Sequence, residues 1–562
     1  MPVTSLRRNL SVSAALSLLL VSGCHAADQE LPYAEAVRTP VDEMHGLEAE
    51  TLSVTTDHSV VSYRYPLMGG APALMTELRT SMAERQTAFL EDLPERGTPE
   101  LSQDVAVLAA SPDILGLRLT AATSAGTSDT FDARSLWYDV ATESVLPWTS
   151  LFRDEAAIEQ AHLEVAGILE AEYQLPVQEM PGLVGEVAAR AQAAEEGEGG
   201  SDTAAADGAA SSEAGDARAE PHGGQGGGGE PLDLADPEQA LEAAERWGGS
   251  PLEDLAFSTA GGLAVHMAAA DVPGAGSVDE VMLPVEPEKS ENLLSELGFH
   301  AREAALGGNS ADEEFPLGGA LSADAGALDC ERLKCVALTF DDGPGEHTDE
   351  LLDMLAEYDA RATFYVLGSL VNESPEPVAR MAAEGHELGN HTWKHDDLAG
   401  LSAEAVKSDI ERTNKAVHDV IGSNPPTIRP PYGSLNETVR GAVEQPLILW
   451  DVDTMDWQSR DTGAISEHAL TNSVPGSVVL FHDIHETSVQ AIPDVLAGLH
   501  REGYHFVTVT DIFGTGALTG GEVYTDAQPV GQGDEDGDDG EGEGGEESEG
   551  GQEEDEGRGY GD

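Results

Sequence analysis

Between Cys330 and about Gly516 the chain repeats one pattern, in which a short apolar run is followed by a helical segment. Because parallel strands need crossover helices between them, this alternation predicts an α/β domain with a parallel sheet, either open or closed into a barrel. Reactive groups in such folds gather at the carboxyl ends of the strands. The seven runs are VALTF, ATFYVL, HELGNH, TIRPP, LILWDV, SVVLFHD and FVTVTDI.

The first run ends in two adjacent carboxylates, Asp341 and Asp342, within VALTFDDGPG. An EF-hand calcium loop is excluded, because counting from Asp341 places Gly at the third and fifth positions and Leu352 at the twelfth, where carboxylates are needed. A helix cap followed by a solvated acidic turn explains this stretch as well as a functional site does.

The segment HTWKH, from His391 to His395, directly follows the run HELGN. Two His four residues apart on a helix or in a tight turn face the same way and can bind one cation. An isolated pair with this spacing is usually incidental, but two His with one carboxylate are the common ligands of a hydrolytic metal centre. A carboxylate adjacent to the ligand can then serve as a general base.

Five segments in order resemble the motifs of the polysaccharide deacetylase family, also called the NodB homology family or carbohydrate esterase family four. The five are TFDDGP (339–344), HTWKH (391–395), RPPYG (429–433), DTMDW (453–457) and LFH (480–482). Each is weak alone, whereas five in order within one repeating segment are specific. The resemblance covers about 335–512 and implies a distorted (β/α)7-type barrel, most similar to bacterial peptidoglycan deacetylases. Asp396 departs from the residue that many relatives carry there.

The resemblance implies a divalent metal site, with zinc expected first and cobalt or another divalent ion as the alternatives. Asp342, His391 and His395 are the implied ligands. The ion would polarise the acetamide carbonyl and activate a water molecule. Asp341 is the implied general base, tethered by Arg429.

The remaining roles implied by the resemblance concern the oxyanion, the leaving amine and the acetyl group. The backbone N–H of Tyr432 would stabilise the oxyanion, and His482 would protonate the departing amine while Asp456 holds its ring. Tyr365 is expected to be structural or to line the groove. The implied acetyl pocket consists of Trp457, Leu480 and Pro431. Core packing is the alternative role for Trp457 and Leu480, and it applies more to Leu480.

The N-terminus combines two arginines, a short apolar run and small residues, which predicts a secretory signal rather than a membrane span. The ending VSGC resembles the lipobox of bacterial lipoproteins. It implies an exported protein that is lipid-anchored through Cys24 on the outer face of the cell membrane, and an ordinary signal is the alternative. The chain has three cysteines, so Cys330 and Cys335 remain as a candidate disulfide or as two free thiols.

Composition shifts predict the domain boundaries. The insert and the tail are rich in Gly and acidic residues, so we expect them to be disordered. Asp236 is expected to cap a helix that begins at Pro237. The predicted segments are a signal peptide (1–24), a tether (25–50), a small α+β accessory domain (51–306) with a disordered acidic insert (195–230), a linker (307–329), the catalytic domain (330–516) and an acidic tail (517–562).

The charge of the chain restricts its partners. Lys and Arg total 28 against 105 Asp and Glu, which gives a formal net charge of −77. Nucleic acid and anionic membrane surfaces are therefore not expected to attract this protein. Solubility and adaptation to high salt both explain such a charge.

The sequence thus predicts a metal-dependent hydrolase that removes N-acetyl groups from an aminosugar polysaccharide, with cell-wall peptidoglycan as the expected partner. Deacetylation of chitin oligomers or acetylxylan by the same mechanism is one alternative. A wall-binding protein with a vestigial catalytic domain is another. Catalytic residue types at every motif position argue against the vestigial alternative, because a binding module needs neither a base nor an acid.

Overall fold

The computed structural model describes residues 33–94, 97–125, 128–198, 232–273, 280–307, 317–318, 326–514 and 516–527. The chain divides into two compact units between Leu328 and Asp329. Within the described ranges, no helix combines the length and the apolar character needed to cross a membrane. The predicted signal peptide, the lipidation site Cys24, and most of the acidic insert, the linker and the tail lie outside the described residues.

Unit 1, which ends at Leu328, contains both strands and helices. Its strands are β1 (Thr39–Pro40), β2 (Glu48–Thr55), β3 (Val60–Leu67), β4 (Glu100–Ala110), β5 (Ile114–Ala125), β6 (Ser128–Asp139), β7 (Ser144–Leu146), β8 (Leu255–Phe257), β9 (Leu263–Ala268) and β10 (Glu280–Pro284). Its helices are α1 (Pro72–Glu91), α2 (Glu155–Ala171), α3 (Gly182–Glu198), α4 (Pro237–Arg246), α5 (Pro287–Glu291) and α6 (Glu296–Leu306).

The strands of unit 1 form two sheets. The larger sheet has the order β2-β3-β4-β5-β6-β7 with β1 beside β4, and the smaller has the order β10-β9-β8. Helix α1 packs Leu74 and Leu78 against Val107 of the larger sheet. As predicted, α4 begins at Pro237, and the Asp236 carboxylate accepts from the first backbone N–H groups of that helix.

The predicted tether is wrong for residues 33–50, which are part of the fold of unit 1. Strand β1 pairs with β4, and β2 begins at Glu48. Val41, Met44 and Leu47 are buried in the same core as α1. These apolar side chains gain free energy by leaving water, so this segment packs on the unit instead of acting as a spacer.

Unit 2, which begins at Asp329, alternates strands and helices. Its strands are β11 (Cys335–Asp341), β12 (Thr363–Val366), β13 (Glu387–Asn390), β14 (Leu447–Ile448), β15 (Val452–Asp453), β16 (Val478–His482), β17 (His505–Phe506) and β18 (Val523–Tyr524). Its helices are α7 (Thr348–Ala356), α8 (Gly368–Glu373), α9 (Pro375–Ala383), α10 (Ala403–Ile421), α11 (Glu437–Ala442), α12 (Thr462–Asn472), α13 (Glu486–Arg501) and α14 (Val509–Phe513).

The main sheet of unit 2 has the strand order β13-β12-β11-β16-β15, with β17 beside the start of β11. All of these pairs are parallel, as the alternation of runs and helices predicted. Beyond β13 the series continues through single parallel bridges, from Asn390 to Ile428 and from Ile428 to Leu447 of β14.

Alternate residues of β11 serve two different environments. Phe340 packs in the apolar core, where its ring stacks 5.2 Å from that of Phe364 and 5.6 Å from that of Phe481. Burial of each such ring contributes about 1.5–3 kcal/mol. Since successive side chains of a strand point to opposite faces, Thr339 and Asp341 face the other side. One face of β11 therefore belongs to the apolar core, and the opposite face carries the polar residues.

Three of the seven predicted strands differ in the structure. TIRPP contributes only the bridging residue Ile428, because the prolines that follow it have no N–H to donate to a ladder. LILWDV contains two short strands, β14 and β15. Only Phe506 of FVTVTDI lies in a strand, β17, since the Thr508 hydroxyl accepts from Asp511 N–H and caps α14.

The predicted boundary at residue 516 is too early. Strand β18 pairs in parallel with β14, so that Leu447 N–H donates to Glu522 C=O and Leu449 N–H donates to Tyr524 C=O, both at 2.8 Å. The Tyr524 ring also lies 5.4 Å from that of Phe513. The polar backbone of β14 requires partners, and residues 516–527 supply them.

Truncation separates the ordered end of unit 2 from the remaining tail. A chain that stops after Gly516 should lose β18 and its packing on Phe513, which together contribute about 2–3 kcal/mol. The Tm of unit 2 should fall by roughly 5–10 °C. A chain that stops after Ala527 is the matched control and should keep the Tm of the full chain. Equal Tm values for the two truncations in a calorimetric scan would contradict the role given to β18.

Candidate metal centre

The residues predicted to form the site lie at the carboxyl ends of neighbouring strands. Asp341 is the last residue of β11, and His482, its register partner, is the last residue of β16. His391 directly follows β13, and Arg429 follows the bridging residue Ile428. Because these strands are parallel and adjacent, side chains that are up to 141 positions apart in sequence meet at one edge of the sheet.

Among the described residues, Asp342, His391 and His395 form the only group of three side chains whose ligating atoms converge as metal ligands do. The Oδ1 atom of Asp342 lies 3.5 Å from Nε2 of His391 and 3.4 Å from Nε2 of His395. This oxygen is buried and has no hydrogen-bond partner. An unsatisfied buried carboxylate oxygen between two imidazole nitrogens fits a cation.

Backbone turns aim these ligands. Asp342, Thr392 and His395 all have positive φ, at 75°, 69° and 65°. A positive φ is uncommon for residues other than glycine and costs about 1–3 kcal/mol per residue. HTWKH is therefore a tight turn, one of the two geometries that the sequence left open. The Thr392 hydroxyl accepts from His395 N–H at 3.0 Å and helps to hold it.

The tautomer of His391 follows from its partner. Its Nδ1 lies 2.7 Å from the carbonyl oxygen of Arg429, which can only accept, so Nδ1 carries the proton and Nε2 presents its lone pair to Asp342. Burial lowers the pKa of His391, although the charges of Asp341 and Asp342 act in the opposite direction. The neutral ring with a free Nε2 is the form that binds a metal ion. The donor set thus fits zinc or a similar divalent ion.

Asp341 lies beside this group, with its Oδ2 atom 3.6 Å from Nε2 of His391, and Arg429 holds its other oxygen. Both side chains are buried, and Nη1 of Arg429 donates to Oδ1 of Asp341 at 2.9 Å. The guanidinium also donates to the Thr339 hydroxyl at 2.6 Å and to two carbonyl oxygens, those of Ile448 at 3.3 Å and Leu449 at 2.9 Å. Four of its five N–H groups thus have fixed acceptors. The orientation of Asp341 depends on this arginine.

His482 and Asp456 form a second charged pair at the same edge. Oδ1 of Asp456 accepts from Nδ1 of His482 at 2.8 Å, and Oδ2 accepts from His482 N–H and from the Ser488 hydroxyl. Burial alone would lower the pKa of His482, but the hydrogen bond and charge of Asp456, with smaller effects of Asp341 and Asp342, raise this pKa to about 9. His482 is therefore a protonated imidazolium at neutral pH and can donate a proton through Nε2.

The predicted pocket residues differ in exposure. Tyr432 is 71% exposed with φ of 62°, and its ring lies edge-on to His395 at 4.5 Å. Trp457 is half exposed, whereas Pro431 is buried. Leu480 is buried and shares the face of β16 that carries His482. An acetyl slot between Trp457 and Leu480 stays a prediction.

The sequence prediction missed Asp483. Its side chain is fully buried, the Thr348 hydroxyl donates to its Oδ2, and its Oδ1 has no hydrogen-bond partner. Burial, together with the charges of Asp342 and Asp341, raises the pKa of Asp483 to about 7. A Cβ atom at Gly343 would lie 2.5 Å from the Asp483 oxygens, so this carboxyl packs directly on the turn that follows Asp342. The sequence feature that could have revealed Asp483 is its position, because it is an acidic residue directly after His482 at the carboxyl end of a strand.

The two remaining cysteines are joined. Cys330 and Cys335 form a disulfide, with their Cα atoms 5.5 Å apart. The bond closes the turn that leads into β11. It lies at the amino end of that strand, opposite to the end that carries Asp341.

Comparisons with known proteins agree with this site. A family model described as polysaccharide deacetylase matches residues 329–446. The chain is 39% identical over 188 residues to a peptidoglycan-N-acetylglucosamine deacetylase of Bacillus cereus, and the matched region covers 32% of this chain and 68% of that protein. It is 35% identical over 260 residues to the peptidoglycan-N-acetylglucosamine deacetylase PgdA of Listeria monocytogenes, and the matched region covers 45% of this chain and 53% of that protein.

A third relative has a different sugar in its name. The chain is 39% identical over 180 residues to the peptidoglycan-N-acetylmuramic acid deacetylase PdaC of Bacillus subtilis, which covers 32% of this chain and 38% of that protein. This chain belongs to the polysaccharide deacetylase family, as its five motifs predicted. It spans about half of the Listeria protein and less of the Bacillus subtilis protein.

The pair of His482 and Asp456 predicts a pH dependence. Because the pKa of His482 is raised from 6.5 to about 9, its contribution to stability is complete below about pH 6.5 and is lost as the pH rises through 9. If His482 is the general acid, kcat/KM should fall over the same upper range. Asp456→Asn should move this alkaline limb at least one unit lower and reduce the rate at pH 7.

The matched control for this prediction is Asp451→Asn. Asp451 accepts from Ser477 and from Val478 N–H at the amino end of β16, away from the site. Its replacement should leave the alkaline limb in place. An unshifted limb in Asp456→Asn, measured over pH 6–10, would exclude His482 as the titrating acid.

Proposed function

We propose that this protein is a metal-dependent hydrolase that removes N-acetyl groups from an aminosugar polysaccharide, with cell-wall peptidoglycan as its substrate. The observation that carries the proposal is the convergence at one strand edge of three sets of groups. These are the ligand group Asp342, His391 and His395, the buried base Asp341, and the imidazolium of His482.

Asp342, His391 and His395 would hold the ion, with Nε2 of each imidazole and Oδ1 of the carboxylate as donors. A divalent ion bound there would supply Lewis-acid polarisation of a carbonyl oxygen and of a water molecule. Two imidazoles and one carboxylate leave positions open for substrate, which is the usual arrangement of a catalytic rather than a structural zinc site.

The side chains of this protein would then move two protons. Asp341 accepts a proton from the water whose oxygen attacks the amide carbon, and Arg429 keeps the carboxylate oriented for that transfer. The backbone N–H of Tyr432 is the candidate donor to the oxyanion. As the C–N bond breaks, His482 donates its Nε2 proton to the leaving nitrogen, and Asp456 balances the charge of the ring beforehand. The products are acetate and a free amine.

The barrel architecture is part of the same proposal. Seven positions follow one another in parallel, namely β15, β16, β11, β12, β13, the bridging residue Ile428 and β14. A series of this length with crossover helices supports a distorted (β/α)7-type barrel. The choice of peptidoglycan rests on the names of the relatives, which specify both N-acetylglucosamine and N-acetylmuramic acid.

Acetate release from purified peptidoglycan tests the function. The protein should release acetate and leave free amines, a chelator should abolish the release, and zinc or cobalt should restore it. Asp341→Asn should retain the metal while losing about 10²- to 10⁴-fold in turnover, because only the base is removed. Asp342→Asn should lose metal affinity as well, since it removes a ligand.

The outcomes separate the alternatives. Release from chitin oligomers or acetylxylan but not from peptidoglycan would assign another substrate to the same mechanism. Binding to wall without any release of acetate would indicate a vestigial site. Equal metal loss in Asp341→Asn and Asp342→Asn, measured by elemental analysis, would contradict the separate roles of the two carboxylates.

Location is a further part of the proposal, and it rests on the sequence VSGC. We expect an exported protein that is lipid-anchored at Cys24 and faces the cell wall. Cys24→Ala should either accumulate as precursor or release soluble protein, because the residue that would carry the lipid is lost. Fractionation of cells that express each form checks this. Unchanged processing and membrane partitioning in the variant would refute the anchor.

A further inference from the structure

Tyr365 occupies the position beside the base on the neighbouring strand. It is the register partner of Asp341 in the β11–β12 ladder, and its side chain is fully buried. Strand alternation places Phe364 in the apolar core and Tyr365 on the face of Asp341. The proposed chemistry gives Tyr365 no role, although it is one of the largest side chains that unit 2 buries.

The ring of Tyr365 lies under the guanidinium of Arg429. Cζ of Arg429 is 4.1 Å from the ring centroid, which is within the range of a cation–π contact. Gly389, the register partner of Tyr365 on β13, makes this placement possible. A Cβ atom at Gly389 would lie 2.3 Å from two carbon atoms of the ring, so the ring crosses β13 where that strand has no side chain.

The far end of the ring is also fixed. The Tyr365 hydroxyl lies 3.2 Å from the Thr427 hydroxyl, which in turn donates to the Glu387 carboxylate at 3.2 Å. Backbone N–H of Thr510 donates to the other oxygen of Glu387 at 2.9 Å. The hydroxyl of Tyr365 is thus held by a chain of hydrogen bonds, and the face of its ring contacts Arg429.

We propose that Tyr365 is a positioning residue for the general base. Its buried ring sets the plane in which the Arg429 guanidinium donates to Asp341, and so fixes where the Asp341 carboxylate points. The guanidinium has planar geometry, so a tilt about its stem would move the N–H that bonds Asp341 away from the carboxylate. The inference rests on the proposed function, because it assigns Asp341 the role of base.

The test compares two replacements of Tyr365 in the metal-loaded full chain. Tyr365→Leu removes the aromatic face and should lower kcat roughly 10- to 100-fold, as a displaced catalytic group does. KM and metal content should stay within about twofold, because neither the ligands nor the surface of the groove changes. Tyr365→Phe keeps the aromatic face and loses only the hydroxyl, so its kcat should stay within about threefold of the wild-type value.

A double-mutant cycle shows whether Tyr365 acts through Arg429. In an Arg429→Lys background, which keeps the charge but lacks the planar fork, Tyr365→Leu should lower kcat by less than about threefold further. Phe364→Leu is the matched control, because it removes an aromatic ring from the same strand on the opposite face. It should lower Tm and leave kcat within about threefold of the wild-type value.

Each other outcome overturns the positioning role. These outcomes are an unchanged kcat in Tyr365→Leu, fully additive losses in the cycle, or an equal loss of kcat in Phe364→Leu. If Tyr365→Leu does not fold, Tyr365→Met replaces it, because Met fills much of the same volume without an aromatic face. Failure of both to fold would show that the ring is structural only. A wild-type protein that releases no acetate would instead refute the proposed function itself.

Discussion

The buried ion pair between Arg429 and Asp341 is the interaction on which the rest of this site depends. A carboxylate with 3% of its surface exposed is costly unless a partner compensates its charge, and Arg429, which is fully buried, has the same requirement. Arg429 also donates to the Thr339 hydroxyl and to the carbonyl groups of Ile448 and Leu449. The Arg429 side chain therefore links β11 to the end of β14, and the backbone carbonyl of Arg429 orients His391.

This interaction explains how two adjacent acids can perform different tasks. Asp341 is the last residue of a regular strand, so its side chain takes the direction that the ladder gives it, towards Arg429. Asp342 has a positive φ, which turns its carboxylate to the two histidines. Asp483 is buried against the next residue of that turn, and His482 donates to Asp456 instead of to the acid pair. Asp456 and Asp483 thus have partners of their own, His482 and the Thr348 hydroxyl. Asp341 and Asp342 both approach Nε2 of His391, at 3.6 Å and 3.5 Å, and differ in that only Asp341 bonds to Arg429.

Sequence periodicity was sufficient for the features that are local. Apolar runs followed by helical segments predicted the parallel sheet, and the resemblance of five motifs to the polysaccharide deacetylase family implied which side chains form the site. Single-residue and two-residue pairings were not predictable in this way, because Ile428 and β18 are held by hydrogen bonds to segments distant in sequence. The fold of residues 33–50 and the burial of Asp483 were missed for the same reason. Burial depends on what packs against a residue, and composition does not report that.

A crystal structure of the metal-loaded protein would show directly which of the two carboxylates binds the ion. We predict anomalous density for one ion within about 2.0–2.2 Å of a carboxylate oxygen of Asp342 and of Nε2 of both His391 and His395. Asp341 should remain hydrogen-bonded to Arg429 and should not enter the coordination sphere. An ion ligated by Asp341, or an Arg429 side chain that has moved away from Asp341 when the metal binds, would contradict the division of roles between the two carboxylates.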